Sequence, residues 1–177
     1  NRSGFESGLH KSISNHSFDE ELSLIEGHVK SNRYHFLAFD PLHDFEQMER
    51  AGIEFDSSIS FAESPSYRSG YSRPYKPYIL SKRRMSSIVE SPMHIMDTTF
   101  FNYLKVDPSR AKTAILDFVF ESDEASVIGL LWHNNFYSGY KYRGFMKLYE
   151  DLLSEFNNLG IENVDTKTMI KEVSYEL

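Results

Sequence analysis

Cysteine is absent from the 177-residue chain. That excludes disulfides, thiolate metal sites and a cysteine nucleophile, and it leaves histidine and carboxylate side chains as the available metal ligands. No apolar run approaches the roughly 20 residues that cross a bilayer. No membrane span is expected, and the chain reads as soluble, with the cytoplasm favoured as compartment. Positive charge is also scarce: 19 Lys and Arg stand against 26 Asp and Glu, a net charge of −7. Phosphate attraction needs a cationic surplus on the binding face, so no nucleic-acid partner is expected. P-loop, GxGxxG, HExxH and GxSxG patterns are missing, as are internal repeats.

What is present is ordinary globular composition, 40% hydrophobic and 25% charged, in a length suited to one domain over 1–177. The unusual quantity is aromatic content, 15%, carried by 14 Phe, 11 Tyr and one Trp. The phenylalanines are scattered, as core residues are. The tyrosines gather at 67–78 and 137–142, in stretches that read as loops.

Helices and strands alternate along the chain. Ser17-Phe18-Asp19-Glu20 is a capping box that predicts a helix over 17–30. A strand is expected over 33–39, and Asp40-Pro41 opens a second helix that Gly52 ends. A strand at 53–56 leads into a long Pro- and Tyr-rich connection reaching about residue 80. A strand over 86–96, broken by Pro92, precedes a short helix from Asp97 or Thr98 to Leu104. Asp107-Pro108 starts a further helix, 127–132 reads as a strand covered on both faces, and Arg143 or Gly144 opens the longest helix, which Gly160 closes. A strand at 161–164 and an Asp165-capped helix finish the chain. The alternation implies an α/β fold with a parallel sheet, whose chemistry gathers at the C-terminal ends of the strands.

Three histidines occupy such positions. His10 and His35 belong to the first two strands, and His133 ends the 127–132 strand. Brought to one rim, two neutral imidazoles and a carboxylate suit zinc or a similar divalent ion, and a third imidazole suits general acid–base work. The alternative is that each is separately hydrogen-bonded and structural, a reading that suits His16, His28, His43 and His94 better. Asp56 and Asp97 follow strands too; for Asp97 an N-cap role is the simpler reading. Tyr67, Arg68 and Tyr71 set aromatic faces beside cations, an arrangement fit for single-stranded nucleic acid or for sugar rings, and the acidic balance favours sugar.

The order and approximate spacing of Gly8-Leu9-His10, Arg33-Tyr34-His35-Phe36, 51–58, Tyr67-Arg68-Ser69-Gly70, Pro92 with Met96-Asp97, and Leu131-Trp132-His133-Asn134 resemble those of polysaccharide deacetylase-like proteins. These form a bacterial subgroup of the NodB-homology superfamily, similar to carbohydrate esterases that remove N- or O-acetyl groups. The resemblance spans about Phe5 to Val164. It implies a distorted (β/α) barrel with parallel strands and a divalent metal, usually zinc, held by an Asp and two histidines.

By the same resemblance, His10 is the first histidine of a His-(Ser/Thr)-x-x-His motif, but Ser14 stands where the second belongs. His35, from the neighbouring strand, or His16 takes its place. Arg33 looks like the arginine that orients the catalytic base, with His35 and Phe36 replacing a Pro-Tyr pair. His133 looks like the general acid, and Tyr67, Arg68, Tyr71, Trp132 and Asn134 are the expected sugar contacts. The family's Asp-Asp motif would lie before Asn1, so the chain is expected to be the C-terminal two-thirds of a domain, partnered by a missing N-terminal segment that carries the first strand or strands. The implied function is metal-dependent hydrolysis of acetyl groups from a polysaccharide or glycoconjugate. The alternative is a non-catalytic carbohydrate-binding module that has lost the metal site.

Overall fold

The structure, a computed structural model, describes residues 5–175. Along the chain run β1 (Leu9–Lys11), α1 (Phe18–Leu22), β2 (Ser31–Tyr34), α2 (Asp44–Arg50), β3 (Phe55–Asp56), β4 (Tyr78–Ile79), β5 (Arg84–Met85) and β6 (Val89–Glu90). Then follow β7 (Met93–Met96), α3 (Pro108–Glu121), β8 (Gly129–Leu131), α4 (Phe145–Asn158) and α5 (Thr166–Tyr175). They fall into two compact units. One comprises the described parts of 1–59, 73–92 and 165–177, the other 60–72 and 93–164.

In the first unit β1, β2, β3 and β6 form a wholly parallel sheet in chain order, with Leu9 opposite Asn32, Ser31 opposite Phe55 and Asp56 opposite Glu90. β4 and β5 make a short antiparallel hairpin. Phe18, Tyr34, Phe45, Met48, Ile53 and Ile88 pack into one core. Each such side chain contributes about 1.5–3 kcal/mol by leaving water. In the second unit β7 and β8 pair in parallel, and Ile95, Phe100, Ile115, Phe136, Phe145 and Leu152 form a second core. The parallel α/β character agrees with the sequence reading; the strand pairing among the described residues does not close a barrel. No helix among them is long and apolar enough to cross a membrane.

Several boundaries follow their expected chemistry. Ser17 Oγ accepts the Glu20 N–H at 3.2 Å while Glu20 Oε2 accepts the Ser17 N–H at 2.6 Å, completing the capping box. Asp107 Oδ1 caps α3 through the Ser109 and Arg110 N–H groups, with Pro108 in the first turn. Gly52 ends α2 at φ 76°, and Gly144 precedes α4 at φ 88°, where a Cβ would stand 2.9 Å from Pro108.

Others differ from expectation. The helix expected over 17–30 stops at Leu22, because the Leu24 and Ile25 N–H groups turn to the carbonyls three residues back and Leu24 is exposed. α2 begins at Asp44, since Asp40 heads a separate turn, accepting the Leu42 N–H on its side chain. The strand over 33–39 ends at Tyr34, where His35–Leu37 form a 3₁₀ turn with Phe36 and Leu37 at φ 56° and 54°. Left-handed backbone at a non-glycine residue costs on the order of 1–3 kcal/mol. Pro92 does divide 86–96, sending β6 and β7 to different sheets, while the helix after Asp97 is a π-helical turn at Thr99–Tyr103. β8 is shorter than 127–132 and only half-buried, having β7 as its sole strand partner among the described residues. Residues 161–164 form no strand; they are largely exposed and pair with no sheet edge. Nor are all phenylalanines internal: Phe36 and Phe120 are exposed.

β1 and α1 are joined by a buried ion pair, Lys11 Nζ to Glu21 Oε1 at 2.7 Å. Burial disfavours the Glu21 carboxylate, but hydrogen bonds from Lys11 and from the Ser12 hydroxyl and N–H outweigh it and hold the group down to about 2. A lowered carboxyl adds stability that is complete above its ordinary value of 4.5 and is lost as pH falls towards 2. Glu21→Ala strands a buried ammonium and is expected to cost about 3 kcal/mol near neutrality. Urea unfolding from pH 6 down to pH 2 is expected to show that cost shrinking with acidity.

Candidate functional site

Two clusters of polar side chains stand out, one in each unit, and each is described by itself. In the first unit, the β1–β2 register sets His10 opposite Arg33. The His10 Nδ1 atom lies 3.0 Å from the Arg33 carbonyl oxygen. A neutral imidazole donating there has Nε2 as its unprotonated nitrogen, the tautomer a metal-ligating histidine uses when its other nitrogen is held by a carbonyl. His35, just past β2, meets His10 edge-on with ring centroids 4.9 Å apart. Two neutral imidazoles are of the residue type that zinc takes. Among the described residues, however, no three histidine, cysteine or carboxylate groups stand together in a metal-holding arrangement.

Arg33 turns away from these rings. Its Nε and Nη2 donate to the carbonyl and hydroxyl oxygens of Ser57 at 3.0 and 3.1 Å, and it faces the charges of Asp56 and Glu90. Asp56 is fully buried, and its oxygens accept Asn32 Nδ2 at 2.8 Å, Ser58 Oγ at 2.9 Å and the Ser58 N–H at 3.0 Å. Glu90, its partner across β3 and β6, is equally buried and accepts the Ile59 N–H at 3.1 Å. Burial pushes both carboxyls up, Glu90 well above its usual range because the adjacent Asp56 charge adds to the effect. The two carboxyls stand side by side where burial favours their neutral forms. Glu90 escapes a sequence reading; its only signal is an acid inside the apolar run of Ile88 and Val89.

In the second unit the register of Met96 with Leu131 brings the residue after β7 beside the residues after β8. Asp97, wholly buried, receives the His133 imidazole Nδ1 on Oδ1 at 2.6 Å and the His133 backbone N–H on Oδ2. The His133 side chain is 37% exposed. An Nδ1–H donated to Asp97 leaves Nε2 as the atom for proton exchange, with ring orientation set by a carboxylate that also grips the backbone. Asp97 does not take the N-cap role expected of it: Thr98 is the N-cap residue of the π-helical turn, and Asp97 Oδ1 accepts the Thr98 N–H at 2.6 Å.

The expected sugar contacts divide. Tyr71 and Asn134 are exposed. Arg68 folds back on its own loop, donating to the Ser60 carbonyl at 2.8 Å with its cation over the Phe61 ring. The Tyr67 hydroxyl hydrogen-bonds Ser122 Oγ, and its ring packs on His94 and Phe118. His94 is buried, accepts the Gly129 N–H on Nδ1 at 3.1 Å and is pushed down to about 4 by burial, so it stays neutral. Trp132 packs against Phe136, Phe145 and Tyr149, and its Nε1 is buried without a hydrogen-bond partner among the described residues.

No protein-family model matches the chain, and no curated protein matches it significantly. Among solved structures it is similar to a crystal structure from Bordetella bronchiseptica, provisionally described as a polysaccharide deacetylase involved in O-antigen biosynthesis. The two share 15% identity at a TM-score of 0.49, over 98% of this chain and 71% of that one. Likeness at that level assigns neither family nor activity.

The raised Glu90 carboxyl of the first unit has a measurable consequence. A carboxyl raised by folding contributes stability that is complete below its ordinary value of 4.5 and is lost as pH rises through its folded value. Glu90→Gln keeps a donor for Asp56 and removes the titration. Urea unfolding between pH 5 and pH 9 is expected to show falling stability for the wild type and a flatter profile for the variant.

Proposed function

We propose that the protein is a metal-dependent carbohydrate deacetylase, hydrolysing acetyl groups on a polysaccharide or glycoconjugate. The observation that carries the reading is the Asp97–His133 pair: a buried carboxylate fixing the tautomer and orientation of a half-exposed imidazole. The His10 and His35 rings and the ordered motifs of the sequence support it.

In this reading His10 and His35 of the first unit are the residues that would hold a divalent ion, zinc first. When bound, such an ion supplies Lewis acidity towards an acetyl carbonyl and acidifies water. The chain's own contribution is proton placement. Hydrolysis joins a water oxygen to the acyl carbon and breaks the bond to the sugar nitrogen or oxygen, and the leaving atom needs a proton. His133 Nε2 delivers it, while Asp97 stabilises the imidazolium at Nδ1 and holds the ring still. Arg33, in the first unit, secures the end of β3 through Ser57. Tyr71 and Asn134, both exposed, meet the sugar.

A second reading, a carbohydrate-binding module without catalysis, is favoured by the missing third donor among the described residues. Acetate release from acetylated oligosaccharides, measured with zinc-supplemented protein, separates the two. His133→Ala is expected to lower kcat by about 10²–10⁴-fold with zinc content unchanged. Glycan binding with no zinc-dependent acetate release from the wild type would overturn the enzyme reading in favour of the module.

A further inference from the structure

Phe36 breaks two local rules at once. Its side chain is 75% exposed, and its backbone sits at φ 56°, ψ 18°, in the left-handed region that bulky residues avoid. Leu37 follows at φ 54°. The turn is nevertheless anchored at both ends. Tyr34 before it is buried, and Phe39 after it packs on Tyr34 at 5.6 Å and on Phe45 at 4.9 Å between ring centroids. Its backbone is closed by the Ala38 N–H on the His35 carbonyl and the Phe39 N–H on the Leu37 carbonyl. Strain kept on so firm a base, for a side chain the core does not use, points to a function for that side chain.

The turn's product is a ring held flat beside the imidazoles. Phe36 stacks on His35 with centroids 3.9 Å apart and planes 21° from parallel, and His35 in turn meets His10. One face of the phenyl ring is thereby covered, and its high exposure leaves the other open. We infer that this open face is a stacking platform for a pyranose ring of the glycan, next to His10 and His35. The inference rests on the carbohydrate reading above and extends it to a residue and a contact type.

Other occupants fit less well. A lipid surface or a partner helix needs a contiguous apolar patch of several hundred Å², whereas the ring partner of Phe36 is an imidazole. Single-stranded nucleic acid stacks on aromatics too, but it needs a cationic groove along its backbone, and this chain carries a net charge of −7. A pyranose presents an apolar C–H face about as wide as one phenyl ring, with hydroxyls at its rim for the neighbouring polar groups.

Calorimetric titration of the zinc-supplemented protein with the N-acetylglucosamine tetramer, its fully deacetylated counterpart and an O-acetylated xylo-oligosaccharide tests this. Phe36→Ala is expected to weaken binding of the sugar the wild type takes by about tenfold, equally for acetylated and deacetylated forms. Phe36→Trp is expected to restore it. Phe36→Gly, which suits the left-handed backbone, is expected to lose binding while its melting temperature holds or rises, separating stacking from folding. Undiminished affinity in Phe36→Ala, weakening confined to the acetylated sugar, or a wild type that binds none of the three would overturn the platform. Binding that depends on Phe36 without acetate release would leave the platform standing and remove the deacetylase reading.

Discussion

The buried Asp56 carboxylate is the constraint around which the first unit is arranged. A charge removed from water is tolerated only when its lone pairs are filled, and here the donors come from Asn32 on β2 and from Ser58 just beyond β3, with the Glu90 carboxyl beside it on β6. Satisfying one carboxylate therefore aligns the ends of three parallel strands. The alignment passes outward. Ser58 Oγ donates to Asp56 and accepts the Tyr34 N–H at 2.9 Å, and Tyr34 is where β2 ends. The residues that follow turn out of the sheet, and that departure sets His35 against His10 and lifts Phe36 to the surface.

The second unit uses a buried carboxylate differently. Asp97 faces an imidazole rather than another acid, and it takes both the ring and the backbone N–H of His133. Asp56 and Asp97 thus show two outcomes of the same rule. Beside Glu90, a carboxylate is pushed up by burial while its hydrogen bonds hold strands together. Beside a half-exposed histidine, it orients the ring through Nδ1 and also takes the backbone N–H. The two arrangements differ although the residues look alike in sequence, each an aspartate closing a short strand.

Local signals were read well where one residue's geometry decides the outcome. The capping box at Ser17, the Asp107-Pro108 start of α3 and the ending of α2 at Gly52 all rest on contacts spanning a few residues. Extents were read less well. A helix expected to reach residue 30 stops at Leu22, and the strand expected at 161–164 is coil, because length depends on what an element packs against or pairs with. The candidate residues show the same division. His10, His35 and His133 lie on or just past strands, as expected, whereas the rings of Tyr67 and Trp132 pack on neighbouring side chains.

By itself the sequence determined the alternation of helices and strands, the parallel character that follows from it, the absence of thiol chemistry and the histidines available for a site. These depend on composition, periodicity and turn residues close together in the chain. Only the tertiary structure decided which acids meet which bases: Glu90 with Asp56 across two strands, Asp97 with His133 across a register 36 residues apart. Strand register brings together residues with no local relation, and burial then decides whether a carboxyl keeps its charge or its proton. The left-handed turn at Phe36 belongs to the same class, since nothing in Tyr34-His35-Phe36-Leu37 demands it until the ends on either side are held by the core.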